Sequence, residues 1–471
     1  MTQPIAQIYN GFIRISNLSV SIADELEDKL SYTDKSKQYQ LHRMRKSIFN
    51  HNSLKMTQLQ SEVNGNLLEK ISFENNLLTV DIPSGFAYIL KDIPNLKIQD
   101  NRKETGTQIS LPWASQSYSF QLRDYQEEAL LAAQSSWRGI INFATGLGKT
   151  KTAIALLRNL KRKALIVCPG RKLAYQFKLE LEEAFGANKI GFVGDGKFKL
   201  APITVGIAQS IVNKANNIKS NIDFGVLIFD ETHHTPASTF YEVAKQFGDV
   251  GRIYGLTATA YRADGKDIFI NATCGEIIAE RDVAWGVAKK WLAQPYFIVR
   301  TVETEGPDPR DDKLRSYKYH VLRNQKMNDR LISDICAMVK AGKSTLVLVD
   351  QIEHGELLST NTNLPFANGK DKGSDKLIDA LNDGSIPGLI ATDGIVGEGI
   401  DTRNVDCLVL ANFNVSKVAV MQAVGRGLRK TTTKDTCIIL DYKPTGSTML
   451  SRHCDQRISY YREITNTIKI V

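Results

Sequence analysis

No two cysteines stand at CxxC spacing in these 471 residues; Cys168, Cys274, Cys336, Cys407, Cys437 and Cys454 are scattered. That argues against a zinc ribbon, an iron–sulfur cluster or a disulfide framework, and for buried or idle thiols. No apolar run approaches the length of a membrane span. Residues 1–10 lack the basic start and apolar centre of a signal peptide, so a cytoplasmic chain is expected. Low-complexity tracts and internal repeats are missing too. What remains is an ordinary composition, 42% hydrophobic and 24% charged, in a chain long enough for about two to four domains.

Acidic residues do not balance the basic ones: 60 Lys and Arg face 51 Asp and Glu, a net charge of +9. Such an excess fits a polyanionic partner, although many basic proteins bind none. It concentrates between Lys29 and Lys55, where Lys29, Lys35, Lys37, Arg43, Arg45, Lys46 and Lys55 are opposed by Asp34 alone. Tyr32, Tyr39 and Phe49 lie among them, so cations for phosphates and rings for stacking occur together. A solvated helix face is the open alternative.

Residues 1–110 read as a small α/β domain, with a strand at Phe12–Ile15, a helix at Ile22–Leu30 and a strand at Leu77–Ile82. Pro83-Ser84-Gly85 breaks that strand, Phe86–Leu90 continues the apolar pattern, and polar Asp100–Gly106 reads as a linker. A second domain is expected over 111–295 and a third over 296–471.

The stretch Phe143-Ala144-Thr145-Gly146-Leu147-Gly148-Lys149-Thr150 follows the apolar run Ile140–Phe143 and opens a helical pattern. Strand, glycine-bearing loop, then Lys-Thr at a helix start is an arrangement that holds nucleotide phosphates. Backbone N–H groups and the helix dipole face the anion, Lys149 reaches the outer phosphates, and Thr150 is placed to ligate magnesium. Phe143 stands where Gly or Ala usually begins this pattern. Short apolar strands at Ala164–Cys168, Ile203–Ile207 and Phe224–Phe229 alternate with helical stretches, which indicates a parallel sheet covered on both faces. Ligands of such sheets sit at the carboxyl ends of the strands, where Arg171, Gln209 and Ser210 fall.

Asp230 and Glu231 follow one of these strands, 81 residues after Lys149 (230 − 149). One carboxylate to hold magnesium and another to orient and deprotonate water is what ATP hydrolysis requires. His233 and His234 lack further ligands at zinc spacing. Thr257 and Thr259, at another strand end, suit a relay between nucleotide and substrate sites, with a plain turn as the alternative. Further strands are expected at Thr345–Val349, Gly388–Thr392, Val405–Leu410 and Cys437–Leu440. Between them lie the glycines of 391–401 and the pair Arg426 and Arg429, which share one face if their segment is helical.

In this order, RDYQ (123–126), ATGLGKT (144–150), CPGRKLAYQ (168–176), FDETHH (229–234), LTATA (256–260), ATDGIVGEGID (391–401) and QAVGRGLR (422–429) resemble the motif series of superfamily-two helicases. DETHH and the following Tyr261-Arg262-Ala263-Asp264-Gly265-Lys266 look most like phage branch-migrating helicases of the UvsW kind. Repair helicases of the xeroderma pigmentosum B type and restriction-enzyme motor subunits are relatives. The resemblance implies two tandem RecA-like parallel-sheet domains, preceded by the small α/β domain, with ATP and Mg2+ as cofactors. It assigns Gln126 to adenine, and Thr145, Gly146, Leu147, Gly148, Lys149 and Thr150 to phosphate, with Thr150 and Asp230 on magnesium. Glu231 goes to water, Gly399 and Asp401 to nucleotide, and Arg426 and Arg429 to γ-phosphate charge. His233, Thr257, Thr259 and Gln422 become coupling residues. Arg171, Gln209, Ser210, Lys370 and Thr392 are expected on nucleic acid, as are Lys35, Lys37, Arg43, Arg45 and Lys46 of the basic segment.

The expected activity is that of an ATP-dependent DNA helicase or translocase on forked or branched DNA, acting as a monomer. A DExH RNA helicase, a restriction-type translocase subunit, and a binding scaffold with a vestigial ATPase are the alternatives. A truncation starting near Leu111 is expected to keep basal ATPase and lose fork binding.

Overall fold

The computed structural model describes residues 3–34, 37–38, 64–114, 120–232, 237–258, 267–309, 312–369, 373–394, 402–431 and 434–471. Its contacts divide the chain into two compact units, Met1–Phe143 with Gly148–Glu280, and Ala144–Leu147 with Arg281–Val471.

The first unit opens with β1 (Ile5–Ile8), β2 (Phe12–Ser19), α1 (Val20–Leu30), β3 (Ser31–Thr33), β4 (Asn64–Asn66), β5 (Glu69–Glu74), β6 (Leu77–Pro83) and β7 (Lys97–Asp100). The order β5-β6-β2-β1-β7 forms one sheet, and β3 with β4 a separate ribbon. Strand alternation puts Ile13, Ile15, Val80 and Ile82 on a buried face, in one core with Ala23, Leu26 and Leu30 of α1. Phe86, Ile89 and Leu90 recur at helical spacing, and they are buried by a 3-10 turn, Ser84–Asp92.

This sheet shares its core with the rest of the unit. Ala272 belongs to the same cluster, and Tyr241 and Ile268 pack against it. A Cβ on Gly85 would lie 2.1 Å from the Asn271 carbonyl oxygen, an approach only glycine allows. The expected linker, Asp100–Gly106, is held down. Asn10 Nδ2 donates to Lys103 O at 3.0 Å and to Asp249 O at 2.9 Å. The guanidiniums of Arg102 and Arg252 lie over the Trp137 ring, 5.2 and 5.1 Å from its centre. A polar sequence signals exposure, but backbone groups and long cations fix this strip without apolar residues.

The unit continues through α2 (Asp124–Ser135), β8 (Arg138–Phe143), α3 (Lys149–Leu160), β9 (Ala164–Cys168), α4 (Arg171–Phe185), β10 (Ile190–Gly194), β11 (Lys197–Lys199) and β12 (Ile203–Ile207). Then come α5 (Ala208–Asn221), β13 (Val226–Asp230), α6 (Ala237–Gln246), β14 (Arg252–Thr257), α7 (Asp267–Cys274) and β15 (Ile277–Arg281). The sheet order is β11-β10-β12-β9-β13-β14-β8-β15. From β10 to β8 every pairing is parallel, so the carboxyl ends of six strands share one edge. Leu165, Val167, Leu227 and Phe229 on the strands bury against Ile211 of α5 and Phe240 of α6.

The second unit contains α8 (Val283–Ala288), β16 (Gln294–Val302), α9 (Lys313–Tyr317), α10 (Gln325–Lys340), β17 (Thr345–Val349), α11 (Ile352–Thr362), β18 (Phe366–Ala367) and α12 (Ser374–Asn382). It ends with β19 (Gly388–Thr392), β20 (Cys407–Ala411), α13 (Lys417–Gly427), β21 (Thr436–Pro444), α14 (Thr448–Arg462) and β22 (Ile468–Ile470). All six pairings in the order β18-β19-β17-β20-β21-β16-β22 are parallel. Both halves of the motif series thus stand on mixed α/β architecture with parallel sheets, as expected. β16 runs across the expected 295/296 boundary and belongs to the second sheet.

Candidate nucleotide and nucleic-acid site

Phe143 is the last residue of β8, fully buried, with its ring edge-on to Tyr125 of α2 at 5.3 Å. The departure from the usual pattern is therefore a core residue that seats RDYQ against the loop strand. Its carbonyl accepts a hydrogen bond from Lys149 Nζ at 3.2 Å. Gly146 and Gly148 take φ of +89° and +83°, the left-handed region where a side chain is strained. A Cβ on Gly148 would lie 2.4 Å from Gln126 Nε2. The loop's turn therefore depends on both glycines, and α3 starts at once with Lys149 and half-buried Thr150.

Sheet order explains how distant motifs meet. β14 lies between β13, which ends in Asp230, and β8, which leads into the loop. Lys149 Nζ stands 3.4 Å from Glu231 Oε1, with both side chains largely buried. Burial, and then the charge of Glu231, push the Asp230 carboxyl well up from its ordinary range, while Lys149 pulls the other way. Glu231 has φ +47°, uncommon for a residue with a side chain. Thr257 ends β14, fully buried, paired with Asn142 of β8. Cys168 lies close enough for the two carboxylates to raise its thiol pKa further, beyond the rise that burial imposes, so it stays protonated and idle.

Asp230 and Glu231 at the strand end, and Thr150 at the start of α3 next to Lys149, offer hard oxygen donors beside an amine. That is the chemistry of a site where magnesium shares its shell with phosphate oxygens. Asp230 and Thr150 fit such an ion, which would relieve the repulsion between Asp230 and Glu231.

Gln126 is 3% exposed. Its Oε1 accepts from Arg123 N at 3.0 Å and its Nε2 donates to Gly148 O at 3.3 Å, so it caps α2 and ties that helix to the loop.

Within the second unit, which includes Ala144–Leu147, a Cβ on Gly146 would lie 3.2 Å from Arg429 Cγ, and one on Gly425 would lie 3.1 Å from Thr145 Cβ. Gln422 and Arg426 are buried on α13, at 6% and 7% exposure. Arg429 is not on that helix. α13 ends at Gly427, Leu428 is its cap, and Arg429 forms an isolated bridge with Leu292. The condition for Arg426 and Arg429 to share a helix face, that their whole segment be helical, is therefore not met. Lys434, 3% exposed, donates from Nζ to Gly427 O at 2.5 Å, a cation at the negative end of the helix. A lysine in a polar run reads as surface, so no sequence signal marks this position.

Among the expected nucleic-acid residues, Arg171 opens α4 with its side chain 68% exposed, paired to Asp195 at 3.1 Å. Gln209, exposed, donates to Asn213 Oδ1 at 3.2 Å, and half-buried Ser210 follows it on α5. Thr392 ends β19, and neighbouring Asp393 accepts from Asn414 Nδ2 at 2.9 Å. The backbone N–H of Lys37 donates to Asp34 Oδ1 at 3.1 Å. Lys35, Arg43, Arg45, Lys46, His233, Thr259, Lys370, Gly399 and Asp401 lie outside the described residues.

Two family models match in succession: "Type III restriction enzyme, res subunit" over residues 119–262 and "Helicase conserved C-terminal domain" over 326–431. The chain is 31% identical over 276 residues to the DNA 3'-5' translocase XPB2 of Sulfurisphaera tokodaii, covering 58% of this chain and 60% of that one. It is 26% identical over 381 residues to the probable helicase D10 of Escherichia phage T5, covering 79% and 81%. A fragment of a putative HsdR subunit of a type I restriction enzyme from Vibrio vulnificus shares the fold, at a TM-score of 0.59 and 20% identity over 77% of this chain and 70% of that one. The chain spans between 51% and 60% of the length of four curated relatives. With the motif residues gathered on parallel-sheet edges and both models matched in order, the chain belongs to the superfamily-two helicases.

Proposed function

We propose that this chain is an ATP-dependent DNA helicase or translocase acting on forked or branched duplexes. One observation carries the reading: Lys149 and Glu231 meet at 3.4 Å beside buried Asp230. In the structure Lys149 is shared between Glu231 and the Phe143 carbonyl. Phosphate oxygens compete for that ammonium, and Lys149 drawn onto them leaves the Glu231 carboxylate to orient and deprotonate water. Bound magnesium, held by Asp230 and Thr150, would supply charge neutralisation on the phosphates. The family resemblance assigns Arg426 and Arg429 to further positive charge on the transferring phosphoryl group. Arg171, Gln209, Ser210 and Thr392 hold the strand that turnover moves, and the basic segment from Lys29 to Lys55 contacts the branched substrate. The names of the relatives favour DNA as the polymer.

Glu231→Gln tests the site. ATP and DNA binding persist while DNA-stimulated turnover falls by about a hundredfold or more, the scale of a lost general base. Near-normal turnover in this variant would remove Glu231 from its role. A restriction-type duplex translocase is the second reading, favoured by the model matched over 119–262. Strand separation on forks against triplex displacement on plain duplex tells the two apart, and stimulation by RNA alone would redirect both.

A further inference from the structure

The carboxyl ends of β9, β12 and β10 are neighbours on one edge of the first sheet. β9 leads to Arg171 and β12 to Gln209 and Ser210, the residues proposed above to hold nucleic acid. β10 leads instead into a tight turn, Gly194-Asp195-Gly196, with φ of +144°, +50° and +75°, and returns as the edge strand β11. Nothing in the motif series covers this hairpin.

Its chemistry is that of a strand-binding surface. Lys197, Phe198 and Lys199 are all exposed, Phe198 by 39% of its surface. Alternation sends them to opposite faces. The Lys197 ammonium lies 5.0 Å from the centre of the Tyr175 ring on α4, and that ring stacks on Phe192 at 4.6 Å. Phe198 meets the ammonium of Lys214 on α5 at 5.2 Å. Lys214 also lines a polar groove of about 360 Å³ with Asn213, Asn217 and Gln246. The acid at the tip, Asp195, is held by Arg171 at 3.1 Å and by the Tyr175 hydroxyl at 3.0 Å.

We propose that the β10–β11 hairpin extends the nucleic-acid path beyond Arg171, gripping single-stranded backbone with Lys197 and Lys199 and stacking an unpaired base on Phe198. Asp195 tempers the grip by occupying the Arg171 guanidinium that a phosphate would otherwise take. The inference rests on the functional reading above. An exposed aromatic ring with the Lys214 ammonium beside it suits unpaired bases, since paired ones offer no free face. Exposed ion pairs contribute little to stability, so the Asp195–Arg171 contact yields to phosphate at small cost.

The test is the salt dependence of binding by the full chain to oligo-dT, oligo-U and a matched duplex. Lys197→Gln with Lys199→Gln weakens single-strand binding and lowers the salt slope by about 1.4, two contacts at about 0.7 each. Phe198→Ala weakens it about fivefold or more at unchanged slope, since stacking releases no counterions. Asp195→Asn moves the other way and tightens binding. Thermal unfolding of each variant separates these effects from misfolding. A double lysine variant with wild-type affinity and slope overturns the hairpin assignment, as does duplex binding reduced as much as single-strand binding. A wild-type chain that binds none of the three probes overturns the functional reading as well. Comparison of oligo-dT with oligo-U identifies which polymer supplies the backbone.

Discussion

Among the described residues Arg457 is the largest side chain buried to below 2% exposure, and its partner Asp441 is equally covered. The two bond in parallel at 2.7 and 2.8 Å, and the Tyr461 hydroxyl donates to the same carboxylate at 2.8 Å. Arg457 also donates to the carbonyl of Asn414, whose side chain holds Asp393. A buried pair of this kind adds little over an apolar replacement, but removing one partner strands the other charge. Arg457→Met alone should cost about 3–5 kcal/mol in chemical denaturation. Arg457→Met combined with Asp441→Asn should recover a large part of that loss. Equal destabilisation in the single and double variants would show that packing, not the stranded carboxylate, sets the cost. Neither residue belongs to a motif, and their separation of 16 positions across a strand–helix connection gives no pattern to read.

At the scale of elements, buried His354 ties α9, α10 and α11 together. Its Nε2 faces Asn328 Oδ1 at 3.1 Å, and the Asn328 amide nitrogen already donates to three carbonyls. Nε2 must therefore carry the proton, which leaves Nδ1 to accept from the Tyr317 hydroxyl at 2.7 Å. Burial pushes the imidazole down from 6.5 to about 4. Between those values the unfolded chain binds the proton and the folded one does not, so stability rises with pH across that window. The contribution is fully present above about 6.5 and is lost as pH falls toward 4, a change of about 3 kcal/mol. His354→Gln removes the titration, so its unfolding midpoint should vary less between pH 7 and 5 than that of the wild type. Identical slopes would count against the histidine.

At the scale of the whole molecule, the N-terminal sheet is a structural part of the first unit. Its core includes Ala272, Gly85 touches Asn271, and Arg138 of β8 donates to Asn10 O and, at 2.6 Å, to Thr273 O. Truncation near Leu111, expected from sequence to spare basal ATPase, would instead expose this apolar face and take the Asn10 carbonyl away from buried Arg138. The truncated chain should aggregate or melt well below the full chain, with turnover lost alongside. A soluble truncation with full basal ATPase would restore the view of a detachable domain. The basic segment is better tested by neutralising Lys35, Arg43, Arg45 and Lys46 in the intact chain.

The sequence by itself determined the elements and the family. Strands such as Ala164–Cys168, Thr345–Val349 and Gly388–Thr392 are short apolar runs, and their observed limits coincide with those runs. The phosphate loop was equally legible, because Gly146, Gly148 and Lys149-Thr150 are local requirements of one turn. Tertiary structure decided what depends on approach between distant residues. Phe143 is core because Tyr125 covers it, and Gln126 is a cap because Gly148 lies within reach. Arg429 left its helix to bridge Leu292, Lys434 was buried under the end of that helix, and the hairpin at Lys197–Lys199 came to lie beside Arg171. Periodicity reports which face of an element is apolar; it carries no information on which faces meet, and this chain's polar contacts are made where they meet.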